Sequence, residues 1–273
     1  MRVAIFTKEK TIKMIPNISP ATSSSSEIAA RKIIKIGKKA KIVVPNKFPE
    51  FLAWMPGSEE IVVALDDNEL ADKTVAEADT IFFLDFNTLS RINWLKNSAA
   101  SSTARKVLID HHPYPDIECD ICISYPEISS TSELIFRLIC RMGQQRDIDL
   151  KIAECIYTGM MTDTGGFTYN SNNPEIYTII SKLLEKGIDK DKIYRNVFNT
   201  YSVDRLRLQG YILYEKLKFY ADNKASIFTI TRNEMKDFHF IRGDAEGLVN
   251  MPLQVKGMRL SISLREDTEK DVV

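Results

Sequence analysis

Two short apolar runs that each end in a carboxylate constrain this chain more than any other feature of its sequence. Residues 80–84, TIFFL, lead into Asp85, and residues 106–109, KVLI, lead into Asp110, His111 and His112. Runs of that length with no polar alternation read as strands covered on both faces, the habit of parallel sheets. Further strand candidates lie at 3–6, 41–44, 60–64 and 121–124, with helical patterns at 26–36, 129–142, 148–161 and 174–186. Strands alternating with helices imply right-handed βαβ units, so an α/β fold is expected, with a parallel sheet and helices on both faces. A long helix at 201–220 leads out of this domain and a strand at 225–231 opens a smaller α+β one. The expected division is 1–200, a connecting helix at 201–222, and 223–273.

Ligands of open parallel sheets collect beyond the carboxyl ends of the strands. That places Asp85, Asp110, His111 and His112 on one rim. A third segment, IYTGMMTDTGGFTY at 156–169, carries Asp163 at the end of a helical stretch and then the pair Gly165 and Gly166, which let backbone approach a ligand. Carboxylates mixed with imidazole suit Mn²⁺ or Mg²⁺ better than a thiolate-seeking metal. Each segment also has a plainer reading, with Asp110 capping a turn and the histidines as polar loop residues. Asn87 and Arg91 follow Asp85 and could steady substrate oxygens or sit in a solvated loop. Thr131 and Ser132 lie near where a phosphate could sit, yet the run Ser129 to Ser132 before an apolar helix is more often an N-cap. Arg242 has the guanidinium fork that phosphate prefers, whereas His239 reads as surface or structural.

These segments together resemble the DHH-family phosphoesterases, in the RecJ-like branch of nano-RNases, pAp phosphatases and exopolyphosphatase-related proteins. VLIDHH matches the motif that names the family, FFLDFNTLSRI the aspartate motif before it, and TDTGGFTYNS the aspartate motif after it. The segment VVPNKFPEFLAWMPGSEEI is similar to the one that precedes them in this branch. The resemblance implies that Asp85 bridges two Mn²⁺ ions, that His111 and Asp163 are ligands, and that Asp110 supports or joins that shell. It implies that His112 contacts the scissile phosphate or the leaving group. Two-metal sites of this kind activate a bridging water and neutralise charge on the phosphoryl group.

Two departures stand beside the matches. Where the family opens with H-x-x-P-D-x-D-x-x-G-S, this chain reads NISPATSSSSE, which puts Asn17, Ala21 and Ser23 at the three ligand positions. Losing two formal negative charges there weakens the hold on a second dication, so full two-metal occupancy is not expected. The family's C-terminal GGGH run, which grips substrate, has no counterpart here, although EGLVNMPLQVKGMRLSISLRE looks like the early part of that domain. The expected function is Mn-dependent hydrolysis of short RNA or DNA oligonucleotides, or of a small 3′-phosphorylated nucleotide such as pAp, impaired by both departures. The alternative is an inactive relative that still binds nucleotide or metal.

Composition narrows the partners. Lys plus Arg equals Asp plus Glu at 37 each, which leaves no overall basic field for long duplex nucleic acid. No stretch approaches the roughly 20 apolar residues that span a bilayer and no signal peptide is read, so no membrane partner and a cytoplasmic location are expected. A homodimer is compatible with the sequence. The four cysteines, Cys119, Cys122, Cys140 and Cys155, read as free thiols in a reducing compartment. Cys119 and Cys122 form a C-x-x-C without a matching second pair, and an extended CDICISY would point them in different directions.

Overall fold

The computed structural model describes residues 11–14, 39–48, 50–241, 244–245 and 247–266. Two compact units divide the chain, Met1–Val197 and Phe198–Val273. In the first, six strands form one sheet: β1 (Thr11–Met14), β2 (Lys39–Val44), β3 (Val62–Val63), β4 (Thr80–Leu84), β5 (Arg105–Asp110) and β6 (Ile121–Ser124). Their order is β3-β2-β1-β4-β5-β6, and every pairing among them is parallel. Strand order reverses between β1 and β4, so the crevice beyond their carboxyl ends is the expected ligand position.

Both faces of this sheet are covered. Ile81, Phe83 and Leu108 point to one face and join Val43, Ala71, Val75, Leu95 and Ala99 in a single apolar cluster. Helices α1 (Asn68–Ala76) and α2 (Leu95–Ser101) supply the last four of these. The residues between them in the strands, Leu84, Val107 and Ile109, are also buried and face the opposite side, where α3 (Thr131–Arg141) packs on β5 and α4 (Leu150–Asp163) packs on α3. That explains the lack of polar alternation in β4 and β5. Helices α5 (Pro174–Leu184) and α6 (Lys190–Phe198) follow. Side-chain caps mark the helix starts: Asp67 for α1, Ser130 for α3, Asp149 for α4 and Asn173 for α5, the last with Pro174 in the first turn.

The second unit has its own core of Leu208, Ile212, Phe228, Ile230, Met235 and Leu248. The continuous helix expected at 201–220 is replaced by three pieces. Helix α7 (Val203–Tyr211) passes into a π-helical turn over Ile212–Lys216, and β7 (Lys218–Tyr220) then runs extended. Antiparallel pairing of β7 with β8 (Ala225–Ile230) gives those residues a ladder that a helix would forfeit, so tertiary pairing overrides local propensity. β9 (Leu260–Arg265) pairs parallel on the other side of β8, completing a three-stranded sheet. The expected strand at 3–6 and helix at 26–36 lie outside the described residues, as do Asn17, Ala21, Ser23 and Arg242.

Helix α8 (Arg232–Asp237) opens with a full capping box. The Thr231 N–H donates to Glu234 Oε2 at 2.8 Å and the Glu234 N–H donates to Thr231 Oγ1 at 3.3 Å. Glu234 Oε1 also accepts from Tyr211 Oη at 2.9 Å and from Lys216 Nζ at 2.5 Å. Burial pushes this carboxyl up, but the Lys216 ammonium and the cap bonds outweigh it and hold the pKa at about 2 against an ordinary 4.5. A carboxyl whose folded pKa is depressed stabilises fully above its unfolded pKa and loses that contribution as pH falls through the folded one. Glu234→Gln is therefore expected to cost ~1 kcal/mol at neutral pH. The gap should close between about pH 4.5 and 2, which urea unfolding at both ends of that window measures.

Candidate functional site

Asp85 is the residue after β4, and it turns the chain with φ of 68°, a left-handed conformation that aspartate tolerates better than most residues. Its N–H donates to the Ile109 carbonyl at 3.0 Å, which ties the turn to the neighbouring strand. The carboxylate is 5% exposed and its Oδ1 accepts from the Thr131 hydroxyl at 2.9 Å. Thr131, expected among the substrate contacts, is fully buried, and its hydroxyl holds Asp85. The cap expected within Ser129 to Ser132 is Ser130, whose Oγ accepts from the Glu133 N–H at 3.0 Å.

Asp110 ends β5 and is fully buried. Its Oδ1 accepts from the His111 N–H at 2.9 Å and faces His112 Nδ1 at 2.7 Å. Its Oδ2 has no hydrogen-bond partner among the described residues. With Nδ1 of His112 on a carboxylate, Nε2 is the nitrogen left for chemistry. His111 is oriented from the other side: its Nδ1 lies 3.1 Å from the Ile128 carbonyl. Nε2 of His111 then faces two carboxylates, Asp85 Oδ1 at 3.4 Å and Asp163 Oδ2 at 3.8 Å. Asp163 comes from the last residue of α4, and the chain leaves it through Thr164 and two glycines with positive φ. Gly165 has φ of 53°, where a side chain is strained, and a Cβ there would also push the Tyr169 ring aside.

The electrostatics follow from this convergence. Burial works against ionisation of Asp85, yet the contact with His111 and the fields of His111 and His112 hold its carboxyl well below the usual carboxylate range. Burial likewise pulls His111 down, but Asp85 and then Asp163 raise it to about 9. The imidazolium proton therefore sits where carboxylates from β4 and α4 meet.

Asp85, His111 and His112 form a group that could hold a metal ion, with ligand atoms all within 4.8 Å of one another. Three observations fit a divalent cation. An imidazole whose one nitrogen faces a backbone carbonyl while the other faces outward is the arrangement of a ligating histidine. Asp85 and Asp163 both face His111 Nε2, and Asp110 Oδ2 is a buried acceptor without a hydrogen-bond partner among the described residues. Of the other expected residues, Asn87 donates through Nδ2 to the Pro113 carbonyl at 2.8 Å and so braces the loop after His112. Arg91 is exposed in the 3₁₀ turn Leu89–Ile92. The Ile128 carbonyl was not anticipated, since a backbone acceptor leaves no signal in residue identity.

The parallel α/β unit gathers carboxylates and imidazoles beyond β4, β5 and α4, and comparison with known proteins gives its family. The chain belongs to the DHH phosphoesterase family, matching the DHH family N-terminal domain over residues 10–160. An exopolyphosphatase-related protein from Bacteroides fragilis, known from its crystal structure, is similar at 54% identity with a TM-score of 0.90, covering 93% of this chain and 75% of its own. The bifunctional oligoribonuclease and PAP phosphatase NrnA of Bacillus subtilis is 23% identical over 84% of this chain and 72% of its own. An uncharacterized protein of Mycoplasma pneumoniae, the MG371 homolog, is 29% identical over 55% of this chain and 46% of its own. The chain thus spans about half the length of that relative. Among the described residues no helix is long and apolar enough to cross a membrane.

Proposed function

We propose that this chain is a divalent-cation-dependent phosphoesterase acting on short oligonucleotides or on a small 3′-phosphorylated nucleotide such as pAp. The observation that carries the reading is the meeting of Asp85 and Asp163 on His111 Nε2 beside the Asp110–His112 pair. Asp85, His111 and Asp163 would hold Mn²⁺ or Mg²⁺, with Asp110 Oδ2 as a further acceptor at the same rim. Bound there, the cation supplies neutralisation of phosphoryl charge and acidification of water. His112, fixed through Nδ1 on Asp110, presents Nε2 to the phosphate or the departing oxygen, where an imidazole can serve as proton donor. Thr131 keeps the Asp85 carboxylate in its rotamer, and Asn87 keeps the loop after His112 in place. Arg91 is the cation proposed to meet phosphate oxygens, and Arg242 lies outside the described residues. The name of the Bacillus subtilis relative supports the substrate class.

A second reading, cation binding without turnover, is favoured by Asn17, Ala21 and Ser23 at the three opening ligand positions. Calorimetric titration with Mn²⁺, run beside hydrolysis of a dinucleotide and of pAp, separates the two. Turnover that needs Mn²⁺ and stops on chelation is the expected result. Binding without turnover selects the second reading, and no binding removes both.

A further inference from the structure

The C-x-x-C at the edge of the larger sheet is a built site that the phosphoryl chemistry leaves unused. Three residues apart on an extended strand, Cys119 and Cys122 would fall on opposite faces. The chain instead bends at Asp120, whose N–H donates to the Lys106 carbonyl at 2.8 Å while its Oδ2 accepts from the Lys106 N–H at 2.7 Å. Strand β6 starts only after this clamp, at Ile121. The alternation is thereby reset, and the expectation of divergent thiols is corrected. Cys122 is in register with Leu108, a member of the apolar cluster beneath α1 and α2, and Cys119 packs against that same cluster. Both residues therefore lie on the α1 and α2 side of the sheet edge. Cys122 is exposed on the outermost strand, whereas Cys119 is half-buried. They are not part of any larger metal-ligating group among the described residues, which argues against zinc.

We propose that Cys119 and Cys122 form a redox-active dithiol that exchanges with low-molecular-weight disulfides such as oxidised glutathione. The Cys122 thiolate attacks one sulfur of the disulfide, the S–S bond breaks, and one glutathione leaves as thiolate and takes up a proton. Cys119, losing its proton, attacks Cys122 Sγ, and the second glutathione leaves from the mixed disulfide. Two protein thiols are oxidised while one small disulfide is reduced to two thiols, so the exchange balances. Burial, and then the neighbouring Cys122, push the Cys119 thiol up, which makes it the poorer initial nucleophile. Placement on the same side of the sheet edge offsets this in the second step, because an intramolecular attack proceeds at high effective concentration.

The test uses the whole reduced protein, incubated with oxidised glutathione, alkylated and mapped by mass spectrometry. The peptide containing both residues is expected to lose two hydrogens and both alkylation sites, while Cys140 and Cys155 stay reduced. Cys119→Ser should trap glutathione on Cys122 at a level at least ~10-fold above wild type, since the resolving thiol is gone. Cys119→Ala, better matched to apolar surroundings, repeats the trap if serine disturbs packing. Equal trapping in wild type and variant, no reaction at Cys122, or a bridge to Cys140 or Cys155 would each overturn the proposal.

Discussion

Exchange of Asp85 for asparagine is expected to lower cation-dependent hydrolysis by ~10³-fold or more, equivalent to about 4 kcal/mol of transition-state stabilisation. Weaker Mn²⁺ affinity should accompany it. The substitution keeps the shape, the left-handed backbone that asparagine also tolerates, and an oxygen for the Thr131 hydroxyl. What it removes is the charge that faces His111 Nε2 at 3.4 Å. The same loss should draw the His111 pKa down from about 9 towards its ordinary 6.5, a change that NMR titration of the cation-free protein follows without any activity. Unchanged Mn²⁺ affinity in the variant, with His111 shifted, would show that Asp85 serves the imidazole alone and not a cation.

Glu133→Ala should be strongly destabilising, at ~2–3 kcal/mol, because it leaves the Ser129 N–H and hydroxyl and one side of the Arg137 guanidinium facing a partly emptied space. Glu133 is 1% exposed. Its Oε2 accepts from the Ser129 N–H at 3.2 Å and from Ser129 Oγ at 2.5 Å, while Oε1 accepts from Arg137 Nε at 2.8 Å and Nη2 at 2.7 Å. Arg137 reaches on to Glu175 of α5 at 2.6 Å, so one buried carboxylate fastens α3, the turn before it and α5 together. That turn also supplies the Ile128 carbonyl to His111, and Thr131 beside it holds Asp85. Urea unfolding measures the loss, and a cycle with Arg137→Met separates the ion pair from the Ser129 bonds. A cost under ~1 kcal/mol would mean that Arg137 and Ser129 find other partners.

Strands buried on both faces were the most legible part of the fold. The run 80–84 corresponds to β4 and the run 106–109 to the body of β5, since their only demand is apolar cover on two sides. Helices closed by recognisable signals were legible too, with Pro174 opening α5 and a serine opening α3. Helices α1 and α2 were missed. They are short, and α2 starts at Trp94 with no side-chain cap bond. At 201–220 the strand pairing of β7 decided the outcome, and that pairing depends on a partner several residues further on. For the candidate site, residue types and strand ends were enough to bring Asp85, His111 and His112 together. The partnership of Thr131 with Asp85, and of His111 with a carbonyl, arises only once α3 docks on β5.

Every pairing in the six-stranded sheet is parallel. No two of its neighbouring strands can therefore be joined by a tight hairpin, and each pairing must close a long stretch of chain before any contact rewards it. Folding of such a sheet is slow on the scale of small domains. The carboxylates that face His111 come from opposite ends of this process, one from the turn after β4 and the other from the end of α4. In the unfolded chain they are strangers, so a cation held between them binds the native state alone. With a cation bound as proposed, its concentration relative to its dissociation constant would act directly on the folding equilibrium, and stability would become a reading of how much free cation surrounds the protein.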